Sequence, residues 1–274
     1  MARLNRRRFL QTSGRWSALL ATPALGLAPD LARAGWAQSI TRFVTALVNP
    51  LDFKASPTSG AATYTLTVRR FFTDVGLGLG PITQAWGYDA GSGTPSSPGP
   101  TFEVTQGSPI TVYYQNGLVD ANNNPLPNPM PVDTTLDWAN PGALGGLAPV
   151  PVVAHLHGAG SDTSADGLPD AWFTPSDTYK GRLFARPYLY DNSQEAGHLW
   201  YHDHTLGITR TNAYMGLAGL YLVRDASETQ LRQTGVLPIS PYEVPLILER
   251  SGMGFIVTRT LDLGEASPDL SEWS

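Results

Sequence analysis

The central part of the chain consists of short stretches in which apolar and polar residues alternate. Such alternation runs through residues 63–68, 102–104 and 110–114. It predicts half-buried strands, because successive side chains of a strand point to opposite faces. Residues 106–109, Gln-Gly-Ser-Pro, supply the turn between the last two of these strands. The hydrophobic pattern therefore predicts a fold rich in short strands.

Further elements are indicated by apolar runs that begin or end near glycine and proline. Strands are predicted at 152–156, 197–201, 215–223 and 242–249, and a short helix at 40–47, where the apolar residues are spaced as on one helical face. Many short strands separated by turn residues, without long helices between them, predict an all-β protein. We expect a Greek-key β-sandwich or barrel with long loops and a short N-terminal helix.

Two long segments have the composition of loops. Residues 122–131 combine asparagine with proline, and glycine and proline continue to Pro151. We expect an irregular surface loop there, with a tolerated insertion as its simplest interpretation. Residues 158–179 are rich in glycine, serine, aspartate and proline. They are expected to form a mobile, polar loop between two of the predicted strands.

The first 34 residues have the layout of a twin-arginine export signal. Arginines at 6–8 precede a weakly apolar run at 16–28, and residues 32–34, Ala-Arg-Ala, offer a small-residue cleavage site. The apolar run is too short to span a bilayer, which takes about 20 residues. We therefore expect export to the periplasm or the extracellular space, and a basic disordered tail is the alternative.

The expected domain bounds, the net charge and the absence of cysteine limit the classes of partner and metal site that fit this chain. We expect the export signal at 1–34, an N-terminal extension with a short helix at 35–60, a β domain at 61–225, and a linker with the truncated start of a second domain at 226–274. The net charge of −5, with no basic cluster after the leader, argues against nucleic acid or a membrane as partner. Cysteine is absent, so no disulfide and no copper site that needs a thiolate can form within this sequence.

Four of the five histidines form two His-x-His pairs, His155 with His157 and His202 with His204. In a strand, residues two positions apart point to the same face with Cα atoms roughly 6.6 Å apart, so each pair aims two imidazoles at one place. Imidazole binds copper, zinc, iron and nickel. The spacing therefore predicts a metal site but does not name the ion, and it leaves open whether the pairs serve one ion or two.

The sequence motifs that contain these histidines resemble those of a known family. His-Leu-His-Gly at 155–158 and Trp-Tyr-His-Asp-His at 200–204 resemble the amino-terminal half of the copper cluster in multicopper oxidases, especially the bacterial branch with spore-coat laccases and bilirubin-oxidase-like enzymes. The likeness covers most of residues 40–250 and fades beyond Arg250. It implies that residues 61–225 form an amino-terminal cupredoxin, or plastocyanin-like, domain and that a second such domain begins within 226–274.

The resemblance also implies a role for each histidine. Members of the family hold one type 2 and two type 3 coppers with eight histidines, four of them from the first domain. By position, His155 corresponds to a ligand of the type 2 copper, His157 and His202 to ligands of one type 3 copper, and His204 to a ligand of the other. His198 stands where the family is expected to have threonine or an aliphatic residue, so we interpret it as a neighbour of the site.

Three more residues are expected near the histidines, and the resemblance gives a role to one of them. Asp166 matches a carboxylate that assists proton delivery close to the place of oxygen reduction, which makes it the candidate catalytic residue. The alternative is that Asp-Gly is simply a turn. Trp172 and Trp200 are expected to pack around the site rather than to carry electrons.

The function implied is the amino-terminal portion of a laccase-like oxidase, which oxidises an unidentified reducing substrate and reduces oxygen to water. The family's His-x-x-His-x-His and His-Cys-His segments have no counterpart here. We therefore expect this chain to be inactive without a carboxy-terminal cupredoxin domain or a second polypeptide that carries the type 1 copper. Two alternatives are a non-enzymatic exported copper-binding protein and, less favoured because no zinc signature occurs, a zinc-dependent hydrolase.

Overall fold

The computed structural model describes residues 49–57, 62–74, 83–133, 135–136, 149–239, 241–247, 250–251 and 256–257. All of them belong to one compact unit, Ala46–Ser274. The predicted export signal at 1–34 and the predicted helix at 40–47 lie outside the described residues.

The described residues form ten strands and two short helices, so the predicted all-β class is confirmed. The strands are β1 (Thr63–Thr73), β2 (Thr83–Asp89), β3 (Gly99–Thr105), β4 (Ile110–Asn116), β5 (Ala154–His157), β6 (Tyr188–Tyr190), β7 (Gly197–Asp203), β8 (Ala218–Arg224), β9 (Arg250–Ser251) and β10 (Ile256–Val257). The helices are α1 (Thr209–Tyr214) and α2 (Ala226–Gln233), and single 3₁₀ turns lie at Pro50–Asp52, Pro169–Ala171 and Pro175–Asp177.

Eight of these strands form two four-stranded mixed sheets. One sheet has the order β2-β1-β4-β6 and the other β3-β8-β7-β5, while β9 and β10 form a separate antiparallel pair. The β1–β4 and β3–β8 pairs are parallel, and the remaining neighbours are antiparallel. Strands distant in sequence are therefore neighbours in both sheets, and the chain crosses between them repeatedly.

Aromatic rings fill the space between the two sheets. Tyr201 on β7 meets Tyr88 on β2 at 5.1 Å and Phe102 on β3 at 5.6 Å between ring centroids, and Tyr190 on β6 meets Tyr221 on β8 at 5.8 Å. The rings approach edge to face, an arrangement in which the positive edge of one ring meets the negative face of another. Burial of these rings fixes which face of β7 points inward, and the histidines of β7 point outward.

Several predicted boundaries needed correction. Predicted strand 152–156 is β5, displaced so that it ends at His157, and predicted strand 215–223 starts only at Ala218. Gly216 at φ +112° lies in the turn after α1, where an added Cβ would be 2.6 Å from the Trp86 carbonyl oxygen. The turn must therefore be completed before the strand can begin.

The prediction of a strand at 242–249 is wrong for its described part. Residues 242–247 are irregular, and strand structure begins only at Arg250. Pro245 cannot donate to a ladder, and Glu243 is held by ion pairs with Arg224 and Arg232 instead. Local proline chemistry and charge override the apolar pattern here.

Helix α2 was not predicted, although its start signal is in the sequence. The Asp225 side chain accepts a hydrogen bond from the Glu228 amide at 2.6 Å and so caps the helix. The helix buries no side chain, so it lacks the apolar stripe that a pattern search needs. Among the described residues no helix has the length and apolar character required to cross a membrane.

In their described residues both long loops are irregular, as predicted, but these residues are packed more closely than the composition suggests. In the first, Leu126 and Asn128 are buried. In the second, Ala171 and Phe173 are buried, and Phe173 exchanges two backbone hydrogen bonds of 3.0 Å with Val152, just ahead of β5. This packing presses the second loop against the strand that carries the first histidine pair.

Candidate metal centre

Pairing of β5 with β7 brings the two histidine pairs together. The strands are antiparallel, with His155 opposite His202 and His157 opposite Trp200. His204 follows the end of β7, and its backbone amide donates to the Val153 carbonyl at 2.9 Å. Since residues two apart share a face, all the pair members project from one face of this sheet.

The four imidazoles form one cluster. His155 lies 5.5 Å from His157, 5.5 Å from His202 and 4.7 Å from His204 between ring centroids. His202 lies 5.4 Å from His157 and 5.7 Å from His204. The convergence predicted from strand parity is present in the structure.

Ring nitrogens within this cluster are close enough to share an ion. One nitrogen from each of His155, His157 and His202 lies within 4.8 Å of the other two, and His157 Nδ1 faces His202 Nε2 at 3.2 Å. Two imidazoles bound tetrahedrally at the usual metal–nitrogen distance would place their nitrogens about 3.3 Å apart. The His157–His202 pair therefore has the separation of two imidazoles that hold one ion, and His155 and His204 lie beside this pair.

Backbone carbonyls fix two of the rings. His155 Nδ1 donates to the Asp166 carbonyl at 2.5 Å, and His202 Nδ1 donates to the Asp203 carbonyl at 2.7 Å. A hydrogen bond at one ring nitrogen sets the tautomer and leaves the other nitrogen as a free electron-pair donor. Both rings are thereby oriented with Nε2 available to a metal.

Burial keeps the inner rings neutral. His202 is only 6% exposed, and burial lowers its pKa to about 4, helped by the three neighbouring imidazoles and opposed by its hydrogen bond to the Asp203 backbone. Burial also lowers the pKa of His204, with His155 acting in the same direction. Because only a neutral imidazole binds a metal, these two rings are ready to bind at neutral pH.

Comparisons with known proteins identify the family. Residues 147–228 match the family model of the multicopper oxidases. The chain is 34% identical over 212 residues to a laccase of Bacillus subtilis strain 168, and 37% identical over 186 residues to a laccase of Bacillus stratosphericus. The chain contains a multicopper oxidase domain. The resemblance inferred from the histidine motifs is confirmed.

The match covers 77% and 68% of this chain, which spans 38% and 32% of the lengths of those two laccases. Its structure is similar to that of the McoA multicopper oxidase of Aquifex aeolicus, with a TM-score of 0.50 and 18% identity, covering 76% of this chain and 37% of that chain. A likeness at this identity concerns the fold, and it confirms the predicted cupredoxin-like sandwich.

Asp203, between the two histidines of the second pair, serves the scaffold of this multicopper oxidase domain. Its buried carboxylate accepts hydrogen bonds from the Val153 amide, the Thr205 amide and the Thr205 hydroxyl at 3.0–3.1 Å. Burial raises the pKa of Asp203 to about 7, and these hydrogen bonds oppose the rise. The carboxylate points away from the imidazoles, as the alternation of side chains along a strand requires, and the Asp203 carbonyl accepts the hydrogen bond from His202.

The Asp166-Gly167 step follows the turn at 163–165 and contacts the cluster. Gly167 has φ +73°, and an added Cβ would lie 1.9 Å from the Ala154 carbonyl oxygen. This close approach of loop and strand sets the Asp166 carbonyl on His155, and Asp166 Oδ1 lies 3.7 Å from His155 Nδ1. Both the turn interpretation and the proposed role of the carboxylate in proton delivery stay predictions.

The remaining candidates separate clearly. His198 on β7 is exposed and lies opposite Leu222 of β8. It is not a member of the group formed by His155, His157 and His202. Burial of part of its ring and the charge of Arg224 lower the pKa of His198. Trp172 is half-buried against the core. Trp200 packs on the histidines, as expected, although nothing in the sequence indicated that its ring would stack on two of them.

Proposed function

We propose that this chain supplies the amino-terminal half of a trinuclear copper cluster in a laccase-like oxidase. His155 would hold the type 2 copper, His157 and His202 one type 3 copper, and His204 the other. The complete enzyme would couple oxidation of a reducing substrate to reduction of oxygen to water. This proposal rests on the family and on one observation, the convergence of four imidazoles with centroid separations of 4.7–5.7 Å.

The protein's own groups have defined tasks in this proposal. Bound copper supplies one-electron chemistry, and several ions close together can pass four electrons to oxygen. The carbonyls of Asp166 and Asp203 hold His155 and His202 in the binding tautomer. The Asp166 carboxylate, which is 26% exposed, would exchange protons between solvent and the cluster.

The remaining cluster ligands would come from outside this sequence, in which His198 is the one further histidine, and so would the type 1 copper. A type 1 copper centre requires a cysteine thiolate with two histidines, and the sequence has no cysteine. We propose that a carboxy-terminal cupredoxin domain, on the same gene product or on a second polypeptide, supplies the missing ligands and meets the electron donor. We also propose export by the twin-arginine pathway to the periplasm or beyond, on the strength of the leader composition.

The first test is copper binding by the tag-free chain. Cu²⁺ should bind through nitrogen ligands that are visible as superhyperfine structure in the electron paramagnetic resonance spectrum, and it should bind without the intense blue colour of a thiolate site. The chain alone should not oxidise phenolic dyes. A blue preparation that oxidises such dyes would contradict the division of the cluster.

The second test asks where the other ligands are encoded. We expect a His-Cys-His segment in the DNA that follows the codon for Ser274, in the same or another frame. Co-expression of that segment should yield oxidase activity that is lost when His202 is replaced by glutamine. Failure of a folded, copper-loaded complex to consume oxygen would contradict the proposal.

A non-enzymatic copper-binding protein is the second candidate function. Its support is that the four imidazoles already converge within the described residues. Intergenic sequence without a further copper-ligand segment, together with copper retention in the exported protein, would favour it over the oxidase.

A further inference from the structure

We propose that Trp200 is a positioning residue for metal binding, which holds the His157 ring in its binding orientation by stacking. This inference rests on the proposed copper site. Trp200 lies directly across the β5–β7 pair from His157 and two residues before His202 on the same strand. The register therefore places one indole against two of the imidazoles.

The indole faces both rings nearly flat. Its centroid is 5.1 Å from that of His157 with an interplanar angle of 24°, and 4.2 Å from that of His202 with an angle of 28°. These are the two histidines whose nitrogens face each other at 3.2 Å. The indole therefore covers one side of the His157–His202 pair, and these are the two rings that would share one ion.

His157 needs such support more than His155 and His202 do. The rings of His155 and His202 are each fixed by a backbone carbonyl. Within the described part of the chain, the one hydrogen bond of the His157 ring is its contact with His202 Nε2, and His157 is exposed. Besides its contacts with His155 and His202, the stack on Trp200 limits the rotation of this ring, and it is the most nearly parallel of the three contacts.

Metal binding would strengthen this stack. An imidazole that donates to a cation becomes electron-poor, and the electron-rich face of an indole attracts it. By linkage, a stack that is tighter in the bound state raises metal affinity by the same factor. Trp200 is 37% exposed, so it gains less from burial than a core tryptophan and its position is not explained by core packing alone.

The test compares the wild type with Trp200→Phe, Trp200→Leu and Trp172→Phe as the full, tag-free chain. Trp172 is the matched control, since it is half-buried against the core and no ring contact with a histidine is found for it among the described residues. Cu²⁺ affinity is measured by competition with a chelator. In the metal-free protein, nuclear magnetic resonance shifts of the His157 ring protons report the overlying indole, and the melting temperature reports folding.

We expect Trp200→Leu to bind Cu²⁺ about ten- to a hundredfold more weakly, the range seen when an orienting partner of a metal ligand is lost. Trp200→Phe, which keeps a flat π face, should recover most of the affinity, and Trp172→Phe should match the wild type. The His157 shifts should change in both Trp200 variants.

Two outcomes would overturn the inference: wild-type affinity in Trp200→Leu, or equal weakening in the Phe and Leu variants. If the wild type itself binds no copper, or binds it equally well after His202→Gln, the proposed function fails and the inference about copper fails with it. Failure of the inference alone is distinguished by copper binding in the wild type that still depends on His202.

Discussion

Gly167 offers a sharp test of how the loop and the metal cluster are coupled. Its replacement by alanine adds a Cβ that would lie 1.9 Å from the oxygen and 2.6 Å from the carbon of the Ala154 carbonyl, and 2.8 Å from the Cα of His155. All three atoms belong to the backbone of β5, so no side chain can rotate away. The loop must move off the strand, and the Asp166 carbonyl moves with it.

The magnitude follows from three contributions. An alanine at φ +73° costs about 1 kcal/mol, loss of the hydrogen bond from His155 to the Asp166 carbonyl costs about 1 kcal/mol, and relief of the backbone overlap costs about 1–3 kcal/mol. Gly167→Ala should therefore lower the free energy of unfolding by about 3–5 kcal/mol. Copper affinity should fall about ten- to a hundredfold because His155 is no longer oriented.

Gly107→Ala separates the two causes. Gly107 has φ +72°, nearly the same as Gly167, but an added Cβ would have nothing within 4 Å. It should cost about 1 kcal/mol and leave copper affinity unchanged. Urea denaturation of the metal-free variants measures stability, and chelator competition measures affinity. Equal losses in the two variants, by both measurements, would refute the coupling of loop and cluster.

Three further predictions concern the scaffold and its charges. Asp203→Ala removes the acceptor from three buried donors and should lower the free energy of unfolding by about 3 kcal/mol or more. Asp191 accepts in the same way from the amide and hydroxyl of Ser193, but at an exposed position, so Asp191→Ala should lower it by less than about 1 kcal/mol. Urea denaturation of both variants checks this. Arg224→Gln leaves three partly buried carboxylates without the arginine that they share. It should lower Tm more than Arg182→Gln, because Arg182 pairs with Asp170 while its own side chain is 82% exposed. Equal Tm shifts would contradict this. Burial lowers the pKa of His202 from 6.5 to about 4, so between those pH values this residue takes up a proton when the protein unfolds. The metal-free wild type should therefore lose stability relative to His202→Gln as the pH falls from 6.5 to 4. A stability difference that does not change with pH would contradict this.

The sequence alone predicted the two histidine pairs, because side chains two positions apart in a strand point to the same face. This places His155 with His157, and His202 with His204, in any fold in which these segments are strands. It could not show that β5 and β7 are neighbours, since pairing between distant strands depends on the whole sheet order. The family resemblance supplied that step. Residue pattern and resemblance together therefore predicted the cluster.

The supporting contacts were beyond sequence reasoning. The Asp166 carbonyl reaches His155 from eleven residues away, and a carbonyl leaves no signature in residue identity. The loop at 158–179 looked polar and mobile by composition, yet Ala171 and Phe173 anchor it. Its contact with β5 depends on a backbone approach that only Gly167 permits, and that approach is a tertiary feature.

Proline and charge explain the wrong strand at 242–249. The apolar residues there matched a strand pattern, but Pro245 interrupts the backbone donors, and Glu243 pairs with Arg224 and Arg232. Charge partners that lie far apart in sequence cannot be read from a local window.

The most direct test of the copper cluster is a titration of the tag-free chain with Cu²⁺, followed by calorimetry, for the wild type, His155→Ala/His157→Ala, His202→Ala/His204→Ala and His198→Ala. The account predicts that either double replacement abolishes tight binding, because each pair alone lacks the partners that complete the cluster, and that His198→Ala binds as the wild type does. Tight binding that survives either double replacement, or that depends on His198, would contradict it.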